Sequence, residues 1–92
     1  MLNDFPIGII VKSNAGRDFG EYFVVVGYNS ESVLVANGKT RKIENPKKKN
    51  VKHLIKFDNL IIKEVQTKLD IGEKLGNKRL KKLLAEKLKQ EE

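Results

Sequence analysis

The sequence contains no cysteine and no tryptophan, and histidine occurs once, as His53. Without cysteine the chain cannot form a disulfide or a thiolate-ligated zinc or iron–sulfur site. A single histidine also provides too few imidazole ligands for a histidine-rich metal site. We therefore expect no metal and no other cofactor.

Long apolar segments are missing as well. No stretch approaches the roughly 20 apolar residues that a membrane-spanning helix needs, and the N-terminal MLNDFPIG lacks the basic and apolar regions of a signal peptide. These features predict a cytoplasmic protein without a membrane partner. A chain of 92 residues forms one small core without a deep pocket, which argues against a small-molecule substrate.

Residues that could support catalysis are sparse. A nucleophile needs a base within hydrogen-bond reach, and the sequence offers His53 only scattered serines and threonines. Asp18 and Glu21 lie in a glycine-containing loop beside Arg17, where we expect solvent around both carboxylates or an ion pair with Arg17. The glycines of this loop do not match a phosphate-binding loop either. The sequence therefore predicts a protein that is not an enzyme.

Two apolar runs of strand length, residues 7–12 and 22–26, open the chain. Both are rich in β-branched and aromatic residues, which favour strands. We expect them to pair as a hairpin around a wide loop at residues 13–21. Gly16 and Gly20 provide the positive φ angles that such a loop requires.

Three further strands are expected at residues 32–36, 39–43 and 51–57. The dipeptide Asn37-Gly38 predicts a tight type I′ turn between the third and fourth strands. Lys47 to Lys49 are three consecutive lysines, which we expect to form an exposed loop that binds a partner without contributing to folding. The fold class is therefore mostly β with C-terminal helices, built on a small five-stranded SH3-like barrel, with an open sandwich as the alternative.

The last third of the chain predicts helices. Asp58-Asn59 can cap a first helix, Gly72 can end it, and Asn77 can cap a second. Apolar residues recur at helical spacing in the first, at Ile61, Ile62, Val65 and Leu69, and in the second, at Leu80, Leu83, Leu84 and Leu88. We expect a barrel domain at residues 1–58 and a helical extension at 59–92 that packs on it. A partner-binding role for the leucine stripe remains the alternative.

The formal charge of +7 is concentrated in one segment. Residues 39–56 contain eight basic residues and one acid, Glu44, so this segment accounts for the whole excess. A block of one sign indicates a partner of opposite sign, most commonly a nucleic acid, whereas a solvated surface usually mixes both signs. The candidate RNA-binding residues are Lys12, Arg17, Lys39, Arg41, Lys42, Lys47, Lys48, Lys49, Lys52 and His53. Lysine outnumbers arginine sixteen to three, which favours attraction to the RNA backbone over base reading.

Three sequence motifs point to a known family: A-G-R-x-x-G at residues 15–20, V-L-V-x-x-G at 33–38 and K-K-N-x-K-H-L at 48–54. The first hairpin also fits the KOW motif, at Gly8, Ile10, Val11, Gly16, Gly20, Phe23 and Val25. Over about residues 8–54 the chain resembles the ribosomal-protein-like KOW family, which includes large-subunit ribosomal protein fourteen of archaea and eukaryotes and small stand-alone bacterial RNA-binding proteins. The resemblance implies a barrel that binds RNA, above all ribosomal RNA, and that can also contact ribosomal proteins. The ribosomal member carries a long basic tail, whereas we expect a short helical C-terminus here.

Two other functions compete with RNA binding. In the first, the hairpin or the leucine stripe docks on RNA polymerase or on a ribosomal protein, as some KOW domains do. In the second, the chain is an architectural DNA-binding protein, although no recognition helix is evident. Tyr28 is the one aromatic residue that we consider for base stacking, with burial as its alternative role.

Overall fold

The computed structural model describes residues 2–90, which form an antiparallel sheet followed by two helices. The five strands are β1 (Ile9–Ser13), β2 (Tyr22–Asn29), β3 (Ser32–Ala36), β4 (Lys47–Lys49) and β5 (Leu54–Ile61). The helices are α1 (Lys63–Asp70) and α2 (Asn77–Gln90), with short 3₁₀ helices at Leu2–Asp4 and Val51–His53. The predicted class, a mostly β domain with C-terminal helices, is therefore confirmed.

The strand order is β4-β3-β2-β1-β5, so β4 and β5 form the two edges. Within residues 2–90 the sheet is open, and the closed barrel expected from the sequence is not observed there. The strand register shifts between Ile9 and Val11 and again between Val25 and Gly27. Bulges of this kind bend a strand and increase the local twist, so they curve the sheet.

Both faces of the sheet are buried, which explains why β1 and β2 have continuous apolar runs rather than alternating ones. One face packs around Val11, Phe23 and Val35 together with Phe5 from the N-terminal segment. The opposite face packs against the helices through Ile10, Val24, Ala36, Val65, Leu75, Leu80 and Leu84. The leucine stripe of α2 therefore belongs to the core, as the first of its two sequence interpretations predicted.

The predicted start of the first helix is wrong. Asp58 and Asn59 have φ angles of 50° and 55° and form an irregularity inside β5, which continues to Ile61. Aspartate and asparagine tolerate the left-handed region better than other residues with a side chain, so the same two residues suit a bulge as well as a cap. Helix α1 begins only at Lys63, without a side-chain cap.

The end of α1 agrees with the prediction, since Gly72 has a φ of +73° and its N–H donates to the Leu69 carbonyl oxygen. The predicted cap of α2 is wrong. Asn77 turns away from its own helix, and its Oδ1 accepts the N–H of Ile43 at 2.8 Å. The side chain of Asn77 therefore binds the loop before β4 instead of the helix N-terminus.

The predicted fourth strand is also wrong, because residues 39–43 are irregular and β4 lies at Lys47–Lys49. Asn37 Oδ1 accepts the N–H groups of Lys39 and Arg41 at 2.9 and 3.0 Å. Of the dipeptide Asn37-Gly38, only Gly38 has a positive φ, +77°. The asparagine side chain therefore organises a wide loop at residues 37–46 in place of a type I′ turn.

Candidate nucleic-acid interface

Three segments meet at one end of the sheet, which we call the loop end: the 13–21 loop, the 37–46 loop and the 3₁₀ helix Val51–His53. The register explains this convergence, because Ser13 at the end of β1 pairs with Leu54 at the start of β5. Ala36 at the end of β3 likewise pairs with Val24, near the start of β2. Most of the candidate basic residues lie on these segments, so the topology gathers residues that are far apart in sequence.

A cavity of about 240 Å³ lies between the first two segments. Its lining includes three of the candidate cations, Arg17, Arg41 and Lys47, together with Asp18, Glu21 and Thr40. Thr40 Oγ1 donates to Glu21 Oε1 at 3.1 Å, which joins the two loops directly. The cavity is smaller than the roughly 300–1,000 Å³ typical of drug-sized ligands, and its size suits a single phosphate or a similar group.

Asp18 anchors the 13–21 loop to β4. The residue is only 6% exposed, and Oδ1 accepts hydrogen bonds from Ser13 Oγ at 2.7 Å and from Lys49 Nζ at 3.0 Å. Lys47 Nζ lies 2.8 Å from Oδ2 without hydrogen-bond alignment, so this contact is an ion pair. Lys49 Nζ also donates to the Ala15 carbonyl oxygen. One carboxylate thus binds two ammonium groups and a hydroxyl.

The pKa of Asp18 reflects two opposing effects. Burial favours the neutral carboxyl, but the contacts from Lys47, Ser13 and Lys49 outweigh it and hold the pKa well below its ordinary value of 3.8. Asp18 is therefore ionised at neutral pH. Two lysines against one carboxylate leave this cluster with a formal charge of +1.

The prediction of an exposed loop at residues 47–49 is wrong in two respects. These residues form an edge strand, and Lys49 is buried, with 7% of its surface exposed. Since successive strand residues point to opposite sides, Lys48 is exposed to solvent, whereas Lys47 and Lys49 face Asp18 and are partly exposed and buried, respectively. The expectation that solvent surrounds Asp18 fails for the same reason, because Lys49 reaches the carboxylate from inside the fold.

The other candidate cations occupy different surroundings. Arg17 is exposed and makes no ion pair with any residue of the 2–90 range, so its proposed pairing with Asp18 or Glu21 is not observed. The side chains of Lys42, Lys48, Lys52 and His53 are also exposed. Lys12 lies over the ring of Tyr22, with Nζ 5.4 Å from the ring centroid.

Lys39 faces a second groove, of about 200 Å³, which it shares with Lys81 of α2 and with Tyr22, Leu84 and Leu88. Lys81 is not among the candidate residues predicted from the sequence. Its proximity to Lys39 depends on how the 37–46 loop packs against α2, which no local pattern reveals. Gly38 allows this close approach, since a Cβ at that position would overlap the carbonyl oxygen of Asn77.

Two exposed aromatic residues change the expectation for base stacking. Tyr28 is 44% exposed, but it lies toward the far end of β2, where its hydroxyl donates to the Phe5 carbonyl oxygen at 2.7 Å. Phe19, which sequence analysis did not single out, is 71% exposed and lies in the 13–21 loop. Its position in a glycine loop, outside any apolar run, was the signal that could have identified it.

Within the described range no group of three or more acidic or histidine residues could hold a metal ion. None of the helices there is both long enough and apolar enough to cross a membrane. Comparison of the sequence with protein-family models and with curated proteins finds no match.

Proposed function

We propose that the chain is a cytoplasmic RNA-binding protein, associated with the ribosome or with translation, that binds the phosphates of a folded RNA at the loop end of its sheet. The main observation that supports this proposal is that Arg17, Arg41 and Lys47 come from separate segments and line one cavity. The finer fold assignment, an SH3-like barrel of the KOW type, is part of the proposal. Its support is the curved five-stranded sheet with an apolar interior and the KOW-like motifs of the sequence.

The charge balance around the cavity supports phosphate as the ligand. Asp18 is neutralised from within by Lys47 and Lys49, and Glu21 accepts a hydrogen bond from Thr40. The exposed guanidinium of Arg17 is then available for a phosphate, which it can bind through two parallel N–H donors. Exposed lysines on the neighbouring segments extend the same positive surface, as backbone recognition of RNA requires.

The proposal is tested with labelled RNA and with single neutralising substitutions. Arg17→Gln, Lys42→Gln and Lys52→Gln each remove one exposed cation at the loop end and should each weaken binding about threefold to tenfold, given the strong dependence of RNA binding on phosphate contacts. Lys63→Gln is the matched control, since Lys63 is exposed and begins α1 at the opposite end of β5. Equal effects at all four positions would show that binding is not localised to this end.

Docking on a protein is the competing function, and the packing of α2 bears on it. The leucine stripe contacts the sheet, so a protein partner would have to use the hairpin or the rim of the second groove. Retention on ribosomal fractions separates the two functions. Release by nuclease supports RNA binding, whereas retention after nuclease treatment supports a protein partner.

A further inference from the structure

Phe19 is a large apolar side chain at the loop end that phosphate binding does not explain. Burying a phenylalanine side chain stabilises a fold, and Phe19, at 71% exposed, loses most of this stabilisation. Single exposed apolar residues are common on protein surfaces. Phe19 differs from such residues because the surrounding backbone holds it in place next to a cation.

Backbone hydrogen bonds fix the position of Phe19 on both sides. The Glu21 N–H donates to the Asp18 carbonyl oxygen at 2.9 Å, so Phe19 and Gly20 are the central residues of a β-turn. Gly20 has a φ of +88°, as the third residue of a type II turn requires. The Phe19 N–H donates to the Gly16 carbonyl oxygen, and the Gly20 N–H donates to that of Ser13.

The Asp18 side chain, immediately before Phe19, anchors this turn to β4 through Lys47 and Lys49. The ring of Phe19 is therefore exposed to solvent on a turn that Asp18 holds against β4. A preorganised aromatic residue loses little conformational entropy when it binds a flat partner.

We propose that Phe19 is a stacking platform for an unpaired base of the bound RNA, a step that rests on the proposed RNA-binding function. Arg17, two residues earlier and exposed, provides the cation for a phosphate beside that base. Base stacking on aromatic side chains together with a basic groove is the general mode by which proteins bind single-stranded RNA. The bases of a continuous duplex are already stacked on their neighbours. The preferred ligand is therefore an RNA with a bulged or looped-out nucleotide.

The experiment compares two labelled RNA hairpins. One is fully paired, and the other carries a single additional bulged nucleotide, 2-aminopurine, whose fluorescence reports stacking. The wild-type chain should bind the bulged hairpin more tightly and quench the 2-aminopurine. Phe19→Ala should weaken binding to the bulged hairpin about fivefold to tenfold or more, the usual effect of removing one stacking residue. On the fully paired hairpin the same substitution should change affinity less than twofold.

Three variants make the test specific. Phe19→Tyr should retain both affinity and quenching, whereas Phe19→Leu, apolar but not aromatic, should lose quenching. Ile71→Ala removes an apolar side chain that is 66% exposed in the connection between the helices, and it should change neither. All variants should melt at the same temperature as the wild type. If Phe19→Ala unfolds, the comparison of Phe19→Tyr with Phe19→Leu still tests the proposal.

Some outcomes would overturn the stacking proposal alone. These are equal affinity of the wild type for both hairpins, equal losses of affinity for both hairpins in Phe19→Ala, or wild-type affinity and quenching in Phe19→Leu. In each case RNA binding itself would still stand. Failure to bind either hairpin, or retention that depends on Phe19 and survives nuclease, would overturn the RNA-binding function as well.

Discussion

The residue with the largest structural role at the proposed site is Asp18, because its side chain stabilises the fold and positions the 13–21 loop. It neutralises a buried ammonium group, that of Lys49, and it fixes the loop that carries Arg17 and Phe19. Removing one partner of a buried ion pair leaves an uncompensated charge, which costs more than the pair contributes. Lys47 and Lys49 therefore act as structural residues that also give the loop end part of its positive charge.

Asp18→Asn should lower the free energy of unfolding by about 3–5 kcal/mol, because Lys49 then remains buried without a counter-charge. Urea unfolding followed by circular dichroism measures the loss. Asp4→Asn, at an exposed position, is the matched control and should stay within about 0.5 kcal/mol. Reversing the charges of residues 47–49 together should unfold the chain, contrary to the sequence-based expectation that these lysines do not contribute to folding.

The pH dependence of the same variant provides a second measurement. The pKa of Asp18 is lowered in the folded state, so its contribution is fully present above the ordinary value of 3.8 and is lost as the pH falls below it. The stability difference between wild type and Asp18→Asn should be constant near neutral pH and shrink below pH 3.8. Glu64, whose pKa the hydrogen bonds from Arg79 lower from 4.5 to about 2, titrates in both proteins and cancels in this difference. A difference that grows on acidification would contradict the assignment.

At the scale of secondary-structure elements, features that depend on local sequence are predicted correctly, whereas features that depend on tertiary contacts are not. The hairpin glycines Gly16 and Gly20 have the predicted positive φ angles, and the leucine stripe of α2 packs as its spacing indicates. The fourth strand was misplaced because the Asn37 side chain binds the backbone two and four residues ahead. The 13–21 and 37–46 loops meet at one end of the sheet and bring Arg17 and Arg41 together. Strand order alone predicts this contact only in outline.

The contact between the 37–46 loop and α2 explains why a helical extension matters to a surface formed mostly by loops. Asn77 holds this loop through Ile43 and through Glu44, whose two carboxylate oxygens accept from Asn77 Nδ2 at 2.9 Å. Gly38 packs directly against the same residue. Helix α2 therefore positions Lys39, Arg41 and Lys42 without needing to bind RNA through its own side chains.

Gly38→Ala should disrupt this contact and weaken RNA binding, because the new Cβ overlaps the Asn77 carbonyl oxygen. Gly72→Ala is the matched control, since Gly72 has a similar φ of +73° and nothing within 4 Å of an added Cβ. The control should lose only the roughly 1–2 kcal/mol cost of a left-handed alanine and bind RNA normally. Fluorescence anisotropy at a temperature where both variants are folded makes the comparison, and wild-type affinity for Gly38→Ala would show that the loop does not need α2.

At the scale of the whole molecule, the charges are sorted between the two ends of the sheet. The loop end carries most of the excess cations, whereas the helices contain paired charges: Glu64 joins α1 to α2 through Arg79 and also pairs with Lys68 within α1. Glu31 lies at the far end, in the turn between β2 and β3. A polarised positive surface attracts a polyanion over a distance and orients it before contact is made.

This polarity predicts a steep salt dependence of RNA binding. If about six phosphates are contacted, the logarithm of the association constant should fall with the logarithm of salt concentration at a slope of roughly −4, because each contact releases condensed counterions. Neutralising Arg17 should make the slope shallower by about one, whereas Phe19→Ala should lower affinity and leave the slope unchanged, since stacking releases no counterions. Anisotropy titrations across a series of salt concentrations measure both. A slope near zero would mean that the cations gathered at the loop end do not bind phosphate, and the basic segment would then serve only solubility.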